Sequence, residues 1–284
     1  MQRTTSPNKS FQTQQSDRYM WEWLLPLFGF LIGIAASLTG VGGGIFIVPL
    51  LTLLYGFDPI IAIGTSLATI IITSIASSVN YLKQNRVYVK IGLVLACATA
   101  PGAYIGAAIT AIPVVKTWLG VIFGVFLILV AVQMVYKALS TKSVKGCGEV
   151  DGIFEGKLLR NRRKLLLGLC LGFFGGVASG LLGVGGGTIL VPIMCYALDF
   201  PIHFSIPTSM FIMIFTSISG VANHVQQGNV NAEYAIYLGV GSVLGAQVGA
   251  YASKKLSSRS LGLVFAVMLI VASINMMLKS LHYI

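Results

Sequence analysis

The chain has 284 residues, of which 56% are hydrophobic and only 10% charged, and its mean hydropathy is +0.86. Soluble domains carry about 25% charged residues. A globule of this composition would have no surface to offer water, and it is too apolar for a disordered chain. An all-α, polytopic membrane protein remains. The net charge is +11, from 19 Lys and Arg against 8 Asp and Glu. These basic residues fall between long apolar runs, so they read as topology signals and not as a nucleic-acid surface.

In chain order, residues 1–20 form a polar tail rich in Ser, Thr, Gln and Asn, with Arg3, Lys9 and Arg18. It lacks the apolar core of a signal peptide and is expected to be disordered. Residues 21–138 hold a first transmembrane unit, residues 139–164 a basic linker expected in the cytoplasm, and residues 165–280 a second unit. About 20 residues are needed to cross the hydrocarbon core. Most apolar runs reach that length, giving roughly 8–10 membrane segments. The runs 44–55 and 187–198 do not, and are expected to be half-helices or parts of broken spans.

Shifting residues 37–108 onto 180–251, by 143 positions and without a gap, gives 24 identities in 72 pairs. Gly40-Val41-Gly42-Gly43-Gly44 falls on Gly183-Val184-Gly185-Gly186-Gly187, Val48-Pro49 on Val191-Pro192, Thr65-Ser66 on Thr208-Ser209, and Asn80 on Asn223. Gly, Pro and polar matches are hard to obtain from apolar composition alone, so the spacing predicts duplicated halves, a pattern common in secondary transporters. Charges favour an inverted relation. Lys83, Arg86 and Lys90 have Gln226, Asn229 and Glu233 as their copies, whereas Lys254, Lys255 and Arg259 follow the second unit's next run, where the first has only Lys116. Basic loops mark the cytoplasmic side, so equivalent loops face opposite sides. The overall distribution of basic residues does not separate parallel from inverted repeats.

Three consecutive glycines in a helix interior cost about 1 kcal/mol each. A break is therefore expected at Gly42, Gly43, Gly44 and at Gly185, Gly186, Gly187, each followed by a helix start with unpaired N–H groups. Two such starts inside a membrane would suit an anion; close helix packing by glycine is the other reading. The hydroxyls of Thr65, Ser66, Thr208 and Ser209 are candidate donors to the same anion, or else they cap and bond to nearby carbonyls. Asn80 and Asn223 either bridge helices or touch substrate. His224, Asp58 and Asp199 are candidates for proton coupling, with loop capping and a structural histidine as the alternatives. Gly102, Gly106, Gly245 and Gly249 have the spacing of helix packing. Cys97, Cys170 and Cys195 are expected to be small buried hydrophobes. No catalytic or metal-ligand pattern stands out, so no enzyme activity, metal or cofactor is expected.

The duplicated Gly-Val-Gly-Gly-Gly-x-x-x-Val-Pro at 40–49 and 183–192, the Thr-Ser pairs and the Gly-Ala-x-x-Gly-Ala at 102–107 and 245–250 resemble the sulfite exporter TauE/SafE family, also called the toluene sulfonate uptake permease group. That resemblance implies a permease of a bacterial-type plasma membrane for a small sulfur-containing anion such as sulfite, a sulfonate or sulfoacetate. Its expected partners are that substrate, the lipid bilayer and, for an assembled permease, a second copy of the chain. An anion channel and a non-transporting membrane scaffold are the alternatives.

Overall fold

A computed structural model of the chain describes residues 23–112 and 161–252, with scattered helical residues between 114 and 132 and at 270 and 274. The tail, most of the linker, Lys116, and the charged loop after the second unit lie outside the described residues, as do most of the runs 117–138 and 260–278. All regular elements described are helical. They are α1 (Leu25–Thr39), α2 (Gly44–Pro49, continued by a π-helical turn Leu50–Leu54), α3 (Pro59–Lys83), α4 (Val89–Ile109), α5 (Arg162–Leu182), α6 (Gly187–Pro192, continued by a π-helical turn Ile193–Ala197), α7 (Ile202–Gln226) and α8 (Ala232–Ala252). Five of these, α3, α4, α5, α7 and α8, are long and apolar enough to cross a membrane.

Local chemistry sets the boundaries. Asp58 caps α3 by accepting from the Ile60 N–H at 2.9 Å, and Pro59 follows at a position whose N–H needs no partner. α1 and α5 stop at Gly40 and Gly183, which take the left-handed conformation. In α2, Pro49 has no N–H to give, and the Thr52 hydroxyl bonds the Val48 carbonyl at 2.8 Å, where the helix widens into its π turn.

Packing fixes the directions of the helices. A Cβ placed on Gly29 or Gly33 of α1 would strike the backbone of Leu238 or Ser242 in α8, and one on Gly241, Gly245 or Gly249 would strike Pro26, Phe30 or Ile34. Residue numbers rise together, so α1 and α8 run parallel in backbone contact. The equivalent pair, α5 on α4, is also parallel, with Gly102 and Gly106 against Phe173 and Val177. α3 runs parallel to α8 (Thr65 to Asn231, Thr73 to Ser242), and α4 parallel to α7 (Tyr88 to Thr208, Thr99 to Thr216). The two central helices oppose each other: Gly64 of α3 meets His224 of α7, and Leu67 meets Gly220. Thus α1, α3 and α8 point one way and α4, α5 and α7 the other. The glycine spacing at 102/106 and 245/249 does what its pattern predicts, since bare Cα atoms let backbones touch.

Because α1 and α3 share a direction, residues 40–58 must carry the chain back. α1 and α2 therefore form a hairpin with Gly40–Gly44 at its tip; α5 and α6 form a second, with Gly183–Gly187 at its tip. Large apolar residues such as Leu27, Phe174 and Leu244 are exposed on the outside, as expected of a lipid-facing surface. Cys97 and Cys170 are exposed there as well, and Cys195 is only half-buried. The expectation of buried cysteines is thus corrected: in a bilayer an apolar run faces outward as readily as inward.

Candidate functional site

The two glycine tips meet in the middle of the bundle. A Cβ on Gly44 would sit 2.1 Å from the Gly183 carbonyl oxygen, and one on Gly187 would sit 2.1 Å from that of Gly40. Only glycine allows this reciprocal approach. Gly43 and Gly186, with φ of 93° and 84°, make the sharp entry into α2 and α6. Ile70 and Met213, the matching midpoints of α3 and α7, seal the contact: both lie against Gly42 and Gly185.

Each tip is tied to the central helix of the other half. Ser66 Oγ donates to the Gly183 carbonyl at 2.7 Å and Ser209 Oγ donates to the Gly40 carbonyl at 3.0 Å. Both hydroxyls also lie 2.8 Å from a carbonyl one turn earlier, Ile63 or Ile206. Their hydrogens are thus committed to backbone. Thr65 and Thr208 accept instead, from the N–H groups of Asn231 and Tyr88 at 3.0 and 3.1 Å. Among the described residues their own hydrogens have no acceptor.

The other candidates occupy different places. Asn80 donates to Gln247 and accepts from Gln84, near the end of α3, and Asn223 accepts from Gln227 near the end of α7. Asp58 is the α3 cap, and Asp199 is an exposed partner of Lys164. His224 is fully buried, with Nε2 3.2 Å from the Gly180 carbonyl oxygen and, among the described residues, no partner for Nδ1. Its counterpart Tyr81 donates to the Ser37 carbonyl at 2.6 Å.

Around the tips, donors are left over. Among the described residues the N–H groups of Gly42, Gly43, Gly44 and Ile45 reach no acceptor, nor do those of Gly185, Gly186, Gly187 and Thr188. Inside a membrane such amides are costly unless a ligand takes them. At the second tip two buried hydroxyls are also unsatisfied, Ser179 Oγ and Thr188 Oγ1. Ser179 lies beside Gly186, its Oγ 3.6 Å from where a Cβ would stand. The first tip has Ala36 and Ile45 at these positions. Sequence reasoning missed Ser179 and Thr188 because it followed what the halves share; the signal lay in where they differ. Among the described residues no Lys or Arg approaches either tip: Lys83, Arg86, Lys90, Arg162, Arg163 and Lys164 all lie at helix ends or in the adjoining loop on one face of the bundle. Among the described residues no group of His, Cys, Asp or Glu could hold a metal ion.

The sulfite exporter TauE/SafE family model matches residues 25–276. The chain is 33% identical over 257 residues to the probable membrane transporter protein YunE of Bacillus subtilis, covering 87% of this chain and 94% of that one. It is 31% identical over 280 residues to a probable membrane transporter protein of Haemophilus influenzae, covering 89% and 97%, and 26% identical over 269 residues to MJ0441 of Methanocaldococcus jannaschii, a probable membrane transporter protein, covering 90% and 95%. No solved structure matches the chain. With tips of backbone donors at the centre of an apolar helical bundle, and this likeness running through both halves, the chain is a multi-pass membrane protein and belongs to the sulfite exporter TauE/SafE family of membrane transporters.

Proposed function

We propose that the protein is a secondary transporter that carries a small sulfur oxyanion, such as sulfite, a sulfonate or a sulfoacetate-like anion, across a bacterial-type plasma membrane by alternating access. The observation that carries the reading is the second glycine tip. Among the described residues it offers four backbone N–H groups and two orphaned hydroxyls, and no cationic side chain. Helix N-termini favour negative charge, and the apolar surroundings strengthen that preference. Neutral donors hold an anion moderately, which suits repeated release. Sulfur oxyanions spread their charge over several oxygens and so match several weak donors.

The opposed directions of α1 and α5, of α3 and α7, and of α4 and α8 support reading the halves as inverted repeats. The basic face, with Lys83 and Arg162, is the cytoplasmic one on this reading, and the face bearing Asp58 and Glu233 is outside. Moved alone, a monovalent anion leaving a cell at 100 mV, negative inside, gains about 2.3 kcal/mol, which favours export by an uncoupled carrier.

The test is flux in proteoliposomes with sulfite, methanesulfonate, sulfate and acetate, in the wild type and Gly186→Leu. Saturable, counterflow-competent movement of the sulfur anions, lost in a folded Gly186→Leu, is expected. Flux without saturation or counterflow would indicate a channel. Absence of any flux, with wild-type-like behaviour of Gly186→Leu, would leave only a scaffold.

A further inference from the structure

Among the polar positions at which the two halves differ, three lie around the second tip and the helix end beside it. Ser179, Thr188 and His224 stand where the first half has Ala36, Ile45 and Tyr81. Three of the five buried polar atoms without a partner among the described residues belong to them, Ser179 Oγ, Thr188 Oγ1 and His224 Nδ1; the other two are Ser78 Oγ and Ser217 Oγ. His224 and Ser179 are linked through backbone, because His224 Nε2 bonds the carbonyl of Gly180, the residue after Ser179. In the first half the same anchor is made by a phenol, Tyr81 to the Ser37 carbonyl. A phenol that donates stays neutral across the physiological range, whereas an imidazole gains charge there.

We propose that His224 is the proton-binding group that couples anion movement to a proton. This rests on the anion site proposed at the second tip. The Gly180 carbonyl fixes the hydrogen on Nε2, so the incoming proton takes Nδ1, which faces no competing partner. Among the described residues, the elements around His224 offer it no counter-charge: α5 presents Gly180, α3 presents Gly64, and the loop before α8 presents the backbone of Asn229. Among the described residues, the titratable groups at this end of the bundle are Asp58, which caps α3, Tyr104 on α4, and Glu233 and Tyr234 on α8, and none is bonded to His224. Among the described residues, a cation formed there has no charged partner. The negative solute at the neighbouring tip is what would stabilise it, so proton and anion bind together. A loaded pair is then electroneutral, and the proton gradient, not the membrane potential, sets the direction of net movement.

The full chain is reconstituted in liposomes and uptake of radiolabelled methanesulfonate, which stays ionised at all working pH values, is measured with and without an imposed pH gradient. One-to-one coupling predicts about tenfold accumulation per pH unit, acid outside, in the wild type. His224→Tyr, which installs the first half's residue, and His224→Gln are expected to exchange the anion at equal pH with weakened affinity, since proton and anion binding are reciprocal, and to lose that accumulation. Accumulation that survives in either variant overturns the proposal, as does wild-type exchange that ignores the gradient; both leave the transport reading intact. If the wild type moves none of the anions, the transport reading fails instead, and the proton site is judged by nitrogen NMR of labelled histidine in detergent. A resonance missing from His224→Tyr that titrates between about pH 5 and 8 supports the site, and one that does not titrate refutes it.

Discussion

The double variant Ser179→Ala, Thr188→Val should make the protein more stable and a poorer anion binder. Both hydroxyls are buried, and among the described residues neither oxygen has a hydrogen-bond partner. An orphaned buried polar group costs about 1–3 kcal/mol. Both replacements fit: Ala already stands at the matching position 36 of the first half, and Val copies the shape of Thr. Removing two such groups should stabilise the empty protein by about 2 kcal/mol or more. If the hydroxyls donate to the anion, losing two hydrogen bonds of about 1 kcal/mol each should weaken binding roughly thirtyfold. Thermal unfolding in detergent reads both effects, as the midpoint without ligand and as its rise with added methanesulfonate. Raised stability with an unchanged anion-dependent rise would show that the hydroxyls only fill space, and would remove the main support for a site at the second tip.

Gly187→Ala brings a Cβ to 2.1 Å from the Gly40 carbonyl oxygen, which is backbone, whereas Gly186→Ala meets nothing closer than 3.4 Å and bears only the left-handed strain of about 1–2 kcal/mol. Gly187→Ala should therefore be destabilised by about 3 kcal/mol or more in a denaturant titration, and equal stability of the two would argue against tip-to-tip contact. Ser66→Ala and Ser209→Ala each strand a carbonyl of the opposite tip and should each cost about 1–3 kcal/mol by the same titration; a neutral result would show that these ties do not hold the halves. Cysteines placed at Lys83 and Gln226 should be labelled from opposite sides of the membrane in sealed vesicles. Labelling from one side would contradict the opposed helix directions.

Much of the architecture could be read from spacing. The three-glycine breaks, the short helices after them and the packing role of Gly102, Gly106, Gly245 and Gly249 follow from helix propensity and from the need for bare Cα atoms where backbones touch. The Thr-Ser pairs were visible as motifs, but their partners were not. Ser66 bonds Gly183, 117 residues away, and Ser209 bonds Gly40, 169 residues away. Only the crossing of the halves brings these together, and no local pattern encodes it. Asp58 caps its helix as the Asp-Pro pair suggests. The cysteines were misplaced because hydropathy does not distinguish a helix face that meets protein from one that meets lipid. Ser179 and Thr188 escaped notice because single hydroxyls in an apolar run are ordinary; they become informative only once the structure shows that nothing bonds them.

The parallel pairing of α1 with α8 and of α5 with α4 also bears on how the protein is made. The ribosome delivers Leu25–Thr39 first, yet the helix against which its glycines fit, Ala232–Ala252, arrives last among the described elements. Until then a fifteen-residue apolar segment with a glycine-lined flank waits in the bilayer without its mate. Insertion and maturation are therefore separate stages for this chain, and a truncated product ending after the first unit would keep its helices but never close its core.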